Sequence, residues 1–209
     1  MGKKRLRILV YVVGMFILAL GLTLNTKANL GVSPIISVPY SISQITGLNL
    51  VYAMFVIVQI IIHIRLKNHK RIASDILQLP LSLIFTRLLN IFTVYIPTSQ
   101  NLEIRFVILT FAIICTGIGA AMSLSMQMVP NPGDGIVQAL AERFDKSVGI
   151  TKNWFDCLNL SITLCISLFI AHKIVGVGIG TVIAVVGVGR VIALFHHIFE
   201  SKIEYLIFD

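Results

Sequence analysis

The sequence carries little charge, and acidic residues are especially few. Asp, Glu, Lys and Arg make up 12% of the 209 residues, and only nine residues are acidic. A soluble domain has about twice that share of charged residues, so the composition excludes an ordinary soluble domain. The mean hydropathy of +0.92 agrees with that exclusion. We therefore predict an all-α polytopic membrane protein whose main partner is the lipid bilayer.

Cysteines and catalytic motifs are also scarce. The three cysteines, Cys115, Cys157 and Cys165, lie inside apolar runs without the spacing of a metal site, and we interpret them as small buried hydrophobic residues. The sequence contains no P-loop, no metal motif and no arrangement of nucleophile and base. We therefore expect no enzyme activity, no metal site, no disulfide framework and no cofactor.

Six apolar runs are predicted to span the membrane, since about 20 apolar residues cross its hydrocarbon core. They cover Ile8–Leu24, Leu50–Ile64, Asp75–Tyr95, Arg105–Gln127, Asn153–Ala171 and Gly176–Ile198. Two further segments, Ile35–Thr46 and Ile136–Lys146, are too short to cross and are predicted to be re-entrant or interfacial helices. We expect Gly47 and Gly149 to end these short helices.

The basic residues outnumber the acidic ones and give a net charge of +8. They fall in short clusters between apolar runs, notably at residues 3–7 and 65–71, a pattern that orients spans rather than binding nucleic acid. Cytoplasmic loops of membrane proteins are rich in Lys and Arg. With six spans, the clusters predict that both termini are cytoplasmic and that no nucleic acid is bound.

Each short segment follows a stretch that cannot be ordinary helix. The clearer stretch is residues 130–135, with the sequence Pro-Asn-Pro-Gly-Asp-Gly, and a weaker version occupies residues 29–34. Proline removes a backbone donor and glycine is permissive. Because an unpaired backbone group is costly in hydrocarbon, we expect these breaks to face protein or a wet cavity.

The two halves of the chain repeat one plan: a span, a break, a short helix and two more spans. Gly47 aligns with Gly149 and Arg87 with Arg190, at offsets of 102 (149 minus 47) and 103 (190 minus 87). Because each half has three spans, the second half must be inverted. We predict one membrane domain over residues 1–209, with repeat 1 at about 8–97 and repeat 2 at about 104–198. Inverted repeats are typical of secondary transporters, whose sites form at the midplane.

Arg87 and Arg190 lie near the middle of the third and sixth apolar runs. An arginine at the centre of a membrane helix costs about 2.5 to 3.5 kcal/mol, so each needs a partner or a water-filled cavity. One interpretation is a cationic pair that binds an anionic or zwitterionic solute. The other is a structural ion pair with an acid such as Asp134.

Asp134 is the main acidic candidate. It could cap the second short helix by accepting backbone amides, or it could bind a coupling proton or sodium ion. Ser33 is the matching cap in the first half, and both helix N-termini would add positive potential. Gln78 and Asn131 are candidates for a polar path, or for hydrogen bonds between helices. The predicted solute site consists of Ser33, Gln78, Arg87, Asn131, Asp134 and Arg190.

Four parts of the chain carry a family resemblance. They are Gly21, Leu30-Gly31-Val32-Ser33-Pro34, Gln78-Leu79-Pro80 and above all Pro132-Gly133-Asp134-Gly135. They resemble the YczE/YyaS/YitT group of bacterial integral membrane proteins, most closely its YczE-like branch, over nearly the whole chain. The resemblance implies a compact helical protein in the bacterial cytoplasmic membrane. It implies no substrate and no catalytic residue.

Together these features predict a secondary transporter or channel for a small polar solute, anionic or zwitterionic if the arginines bind it. Asp134 either orients one arginine or carries the coupling proton or sodium ion. The alternative is an accessory or scaffold protein that transports nothing and whose buried charges only hold it together. The glycine-rich sixth span can pack within one chain or against a second copy, and both arrangements remain open.

Overall fold

A computed structural model describes residues 2–48, 50–67 and 76–208. Every regular element in that part of the chain is an α-helix, and there are eight of them. In chain order they are Lys3–Ala28 (α1), Pro34–Thr46 (α2), Leu50–Leu66 (α3), Gln78–Tyr95 (α4), Leu102–Ser125 (α5), Pro132–Phe144 (α6), Val148–Ile170 (α7) and Ile179–Phe208 (α8).

Among the described helices, four are long and apolar enough to cross a membrane, namely α1, α5, α7 and residues 179–199 of α8. They confirm the prediction of an all-α chain of the membrane type. Helix α3 is apolar but has only 17 residues. The predicted third span begins at Asp75, which lies outside the described residues, as do Lys70 and Arg71 of the second basic cluster. The described helix α4 begins at Gln78.

The two short segments are both helices of 13 residues. Each has proline at its first position, Pro34 in α2 and Pro132 in α6, where the fixed φ suits a helix start. Helix α6 therefore begins four residues before the predicted Ile136. Its N-cap is Asn131, and Asp134 lies in the first turn, so the interpretation of Asp134 as an N-cap is wrong.

The short helices end alike, in a left-handed residue. Helix α2 ends at Gly47 with φ 73°, as predicted, and α6 ends at Asp145 with φ 50°. Gly149 was expected to close α6 but lies inside α7. The difference has a physical reason: an aspartate tolerates the left-handed region by bonding locally, so α6 needs no glycine to stop.

Helix α1 packs along α5 in the opposite direction, and glycines permit the close approach. Gly14 and Leu18 lie beside Gly119, and Gly21 lies beside Thr116. A Cβ on Gly119 would collide with the backbone nitrogen of Leu18. The small residues of the fourth predicted span therefore form a helix contact, as their type indicated.

The short helices lie parallel to long partners from the other half of the chain. Two hydroxyl pairs, Ser37 with Thr163 and Ser41 with Ser167, share a separation of 126 residues, so α2 and α7 run in the same direction. Helix α6 runs parallel to α3 in the same way. The N-terminal ends of α2 and α6 meet, since a Cβ on Gly133 would lie 2.5 Å from Cδ1 of Ile35. Polar groups from both halves are therefore brought together.

The first break is held by the loop before α8. The amide of Val32 donates to the carbonyl of Gly176 over 2.9 Å, and the amide of Gly180 donates to the carbonyl of Leu30 over 2.8 Å. The hydroxyl of Thr181 donates to the carbonyl of Val32. These bonds satisfy the irregular backbone from within the protein, as an apolar surrounding requires.

Candidate functional site

Three buried charged side chains meet between α6 and α7. Nζ of Lys152 lies 3.0 Å from Oδ1 of Asp156 and 3.5 Å from Oδ1 of Asp134. The side chains of Lys152, Asp156 and Asp134 are only 4%, 1% and 5% exposed. We call these three residues the charged cluster.

Local structure explains how the sequence builds this cluster. Helix α7 begins at Val148, after the N-cap Ser147, whose side chain accepts from the amide of Ile150. Lys152 and Asp156 are then one helical turn apart on one face of α7. Asp134 joins them from the first turn of α6, where the helix dipole favours a negative charge.

The cluster holds two carboxylates and one ammonium, so it carries one net negative charge when all three groups are ionised. Oδ1 of Asp156 is within ion-pair distance of Lys152 but makes no hydrogen bond of good geometry. A carboxylate has about four acceptor positions. The carboxylates therefore have free acceptor positions, and the cluster has an excess negative charge. Both features suit a proton or a small cation.

The glycines on either side of Asp134 let polar residues of α3 come close. A Cβ on Gly135 would lie 2.6 Å from Nδ1 of His63, and one on Gly133 would lie 3.2 Å from Nε2 of Gln59. Gln59 and His63 are both buried and lie one turn apart on α3. The glycines of the Pro-Gly-Asp-Gly segment thus let α3 pack closely against the first turn of α6.

Apart from the two arginines, the predicted site residues fall into three groups. Asp134 is part of the charged cluster. Ser33 and Asn131 are the N-caps of α2 and α6, and neither side chain makes a capping bond. Gln78 is fully buried, and neither its amide nitrogen nor its amide oxygen has a hydrogen-bond partner among the residues that the structure describes.

The two arginines lie elsewhere. Arg87 on α4 and Arg190 on α8 are both exposed, whereas Asp134 is buried and has Lys152 as its ion-pair partner in the described part of the chain. The structure does not bring either arginine to the charged cluster.

Sequence reasoning missed Lys152, Gln59 and His63. The predicted fifth span begins at Asn153, which leaves Lys152 just outside it. The pair of Lys152 and Asp156 could have been predicted from the sequence. Ser147 is a good helix start, and residues four apart lie on the same face of a helix. In the residues that the structure describes, no group of three His, Cys, Asp or Glu side chains could hold a metal ion.

The fold and the site define the class as an all-helical protein of the membrane type with a buried cluster of ionisable residues. Residues 5–197 match the model of DUF6198, a family of unknown function, and the chain belongs to that family. It is also similar to an uncharacterised protein of Haemophilus influenzae, with 26% identity over 110 residues. That match covers 53% of this chain and 47% of the relative, so it spans about half of each protein. No solved structure matches the chain.

Proposed function

We propose that the protein is a secondary transporter or channel for a small polar solute. One observation carries the proposal: the charged cluster is buried beside the point where the N-terminal ends of α2 and α6 meet. Ionisable residues inside a membrane are costly, and they mark ion pathways and proton relays. Secondary transporters place such groups where broken helices converge near the midplane.

The proposed architecture is six spans in two inverted repeats, with α3 and α4 completing the set. Three pairs of backbone features support it, each 98 residues apart (131 minus 33): the left-handed residues Asn29 and Gln127, the N-caps Ser33 and Asn131, and the residues after the short helices, Gly47 and Asp145. The helix contacts also support two repeats. In the proposed repeats α2 corresponds to α6 and α3 to α7, and α2 packs on α7 while α6 packs on α3. The offset is 98 rather than the 102 and 103 inferred from glycine and arginine positions.

The coupling ion in this proposal is a proton or a sodium ion. It binds at Asp134 and Asp156 and competes with Lys152 for the carboxylates, so that binding rearranges the contact between α6 and α7. The anionic or zwitterionic character of the solute stays a prediction that rests on Arg87 and Arg190. The charged cluster itself, with its excess of carboxylate, favours a cation.

We further propose the bacterial cytoplasmic membrane as the location, with both termini cytoplasmic. The basic residues 3–7 support this orientation. So do Arg65 and Lys67 at the C-terminal end of α3. A relationship between this family and the YczE/YyaS/YitT group is also our inference, drawn from segments such as residues 132–135.

A scaffold or accessory protein is the second candidate. Lys152 already contacts both carboxylates, so the cluster can act as a lock between α6 and α7. A cluster that only holds α6 to α7 needs neither water nor a ligand, whereas a transport site must bind a ligand.

Thermal unfolding in detergent, repeated with a library of small polar metabolites and cations, separates the two candidates. A ligand at a hundredfold excess over its Kd stabilises the folded protein by about 2.7 kcal/mol. We expect one ligand to raise the midpoint of the native protein and to lose this effect in Asp134→Asn. Glu142→Gln is the matched control, because Glu142 is an exposed acid on the same helix. If no ligand acts and Asp134→Asn only lowers the midpoint, the scaffold function replaces the proposal.

A further inference from the structure

A line of buried polar side chains runs along one face of α7 from the charged cluster. Beyond Asp156 it consists of Asn159, Thr163 and Ser167, at spacings of three and four residues, and all are at most 4% exposed. Helix α2 faces this line with Ser37 and Ser41, which are both fully buried. Two cross-helix pairs result, Ser37 with Thr163 at 2.8 Å and Ser41 with Ser167 at 2.9 Å. We call these four hydroxyl residues the seam.

The seam leads to a polar cavity at the far end of α7. The hydroxyl of Ser167 reaches the carbonyl of Val175, and Val175 lines a cavity of about 570 Å³. Its other lining residues are Tyr40, Gln44, Ile45, Ala171, Lys173, Ile174 and Gly176. At the opposite end, Thr163 donates to the carbonyl of Asn159, one turn from Asp156. The seam therefore lies between a cavity at one end and a buried carboxylate at the other. Water would have to complete the path between its two hydroxyl pairs and from Thr163 to Asp156, which is seven residues away on α7.

The hydroxyl groups of the seam have more acceptors than protons. The hydroxyl of Ser37 can donate either to the carbonyl of Pro34 or to the hydroxyl of Thr163. The hydroxyl of Thr163 can donate either to the carbonyl of Asn159 or to the hydroxyl of Ser37. Each hydroxyl has a single proton, so both cannot donate within their own helices and also across the pair. The pair has alternative hydrogen-bond orientations of similar geometry. A chain of groups that passes protons needs that property.

We propose that the seam is the access path by which water and a coupling proton reach the charged cluster from the cavity. This inference rests on the proposed transport function and names its coupling ion as a proton. In each transfer a hydroxyl oxygen accepts a proton from water or from its neighbour and releases its own proton to the next group. In the last transfer a water molecule beside Asp156 gives up one proton and takes another from the water or hydroxyl behind it. One O–H bond of that water breaks and the O–H bond of the Asp156 carboxyl forms, which weakens the attraction of Asp156 for Lys152. No oxidant or reductant is involved.

Cysteine labelling tests the path without any solute. Cys115, Cys157 and Cys165 are first replaced by alanine, and single cysteines are then introduced as Ser37→Cys, Ser41→Cys and Thr163→Cys. Membrane fragments are treated with a charged, water-soluble methanethiosulfonate, which reacts only with a hydrated thiolate. We expect all three variants to label fully, with Ser41→Cys fastest because it is nearest the cavity.

Ser161→Cys is the matched control, because Ser161 is at a similar depth on α7 but on its exposed face. In a membrane that face meets lipid, so we expect no labelling. Ser37→Cys and Thr163→Cys probe one pair from opposite helices, so either variant suffices if the other fails to fold. If both resist the reagent as Ser161→Cys does, the seam is dry and the inference is overturned. The transport proposal is judged separately, by ligand stabilisation.

Discussion

Lys152 and Asp134 belong to different helices, yet Nζ of Lys152 lies 3.5 Å from Oδ1 of Asp134 and both side chains are at most 5% exposed. Their contact fastens the first turn of α6 to α7. It also links a short helix that begins inside the protein to a helix long enough to cross a membrane. The stability of the bundle and any change in its shape both depend on this contact.

Removal of the ammonium group is expected to destabilise the fold strongly. Lys152→Met leaves two carboxylates buried without a counter-ion, which costs about 3–5 kcal/mol. The matched control is Lys67→Met, since Lys67 pairs with Glu142 at the surface and an exposed pair contributes at most about 1 kcal/mol. Thermal unfolding in detergent measures both. Equal losses in the two variants would contradict the burial argument.

The glycine beside Asp134 is expected to resist substitution. In Gly135→Ala the new Cβ would lie 2.6 Å from Nδ1 of His63, so α3 must move away from α6, at a cost of about 1–3 kcal/mol. Gly2→Ala is the control, because a Cβ there meets nothing within 4 Å. Thermal unfolding in detergent should show a lower melting midpoint for Gly135→Ala and an unchanged midpoint for Gly2→Ala. An unchanged midpoint in Gly135→Ala would show that α3 and α6 are less tightly packed than described.

The exposed arginines are expected to matter little for stability. Arg87→Ala and Arg190→Ala should each change the free energy of unfolding by less than about 0.5 kcal/mol, the usual effect of a substitution outside buried networks. If the solute is anionic, the same variants should lose stabilisation by anionic ligands. A large loss of stability in either variant would mean that the arginine is held in a structural ion pair.

The hydroxyl pairs of the seam are expected to contribute modestly. Thr163→Val keeps the shape of the side chain and removes one partner of Ser37. Hydrogen bonds between membrane helices contribute about 0.6 kcal/mol on average and at most about 1.7. Unfolding of Thr163→Val in detergent should show a loss within that range. A much larger loss would mean that the seam is a structural lock.

Helix type and position could be read from the sequence because proline, glycine and apolar length act locally. Pro34 predicted the start of α2, and Gly47 predicted its end. The charged cluster could not be read in the same way, because Asp134 and Lys152 are brought together by the packing of α6 on α7. The sequence offers arginines near the middle of apolar runs as partners for Asp134. Lys152 was overlooked because it lies in the second turn of its helix, close to the predicted loop.

The role of Gly133 and Gly135 could not be predicted from the sequence either. Composition singles out residues 132–135 as a break, but the structure makes them the first turn of α6. The reason for the two glycines is the close approach of Gln59 and His63 from α3, which depends on contacts between distant parts of the chain. The offset of the proposed repeat also depends on which residues are compared. Glycine positions gave an offset of 102, whereas caps and left-handed residues give 98 (145 minus 47), because Asp145 rather than a glycine follows α6.

In the proposed function the charged cluster couples a proton to solute movement. The most direct measurement uses liposomes that contain the protein and an internal pH dye, to which solutes that stabilise the protein are added from outside. The native protein and Glu142→Gln should acidify or alkalinise the interior when a solute is added, and folded Asp134→Asn should not. If Asp134→Asn responds as the native protein does, or if no stabilising solute changes the internal pH of native liposomes, the cluster is not a proton-coupling site.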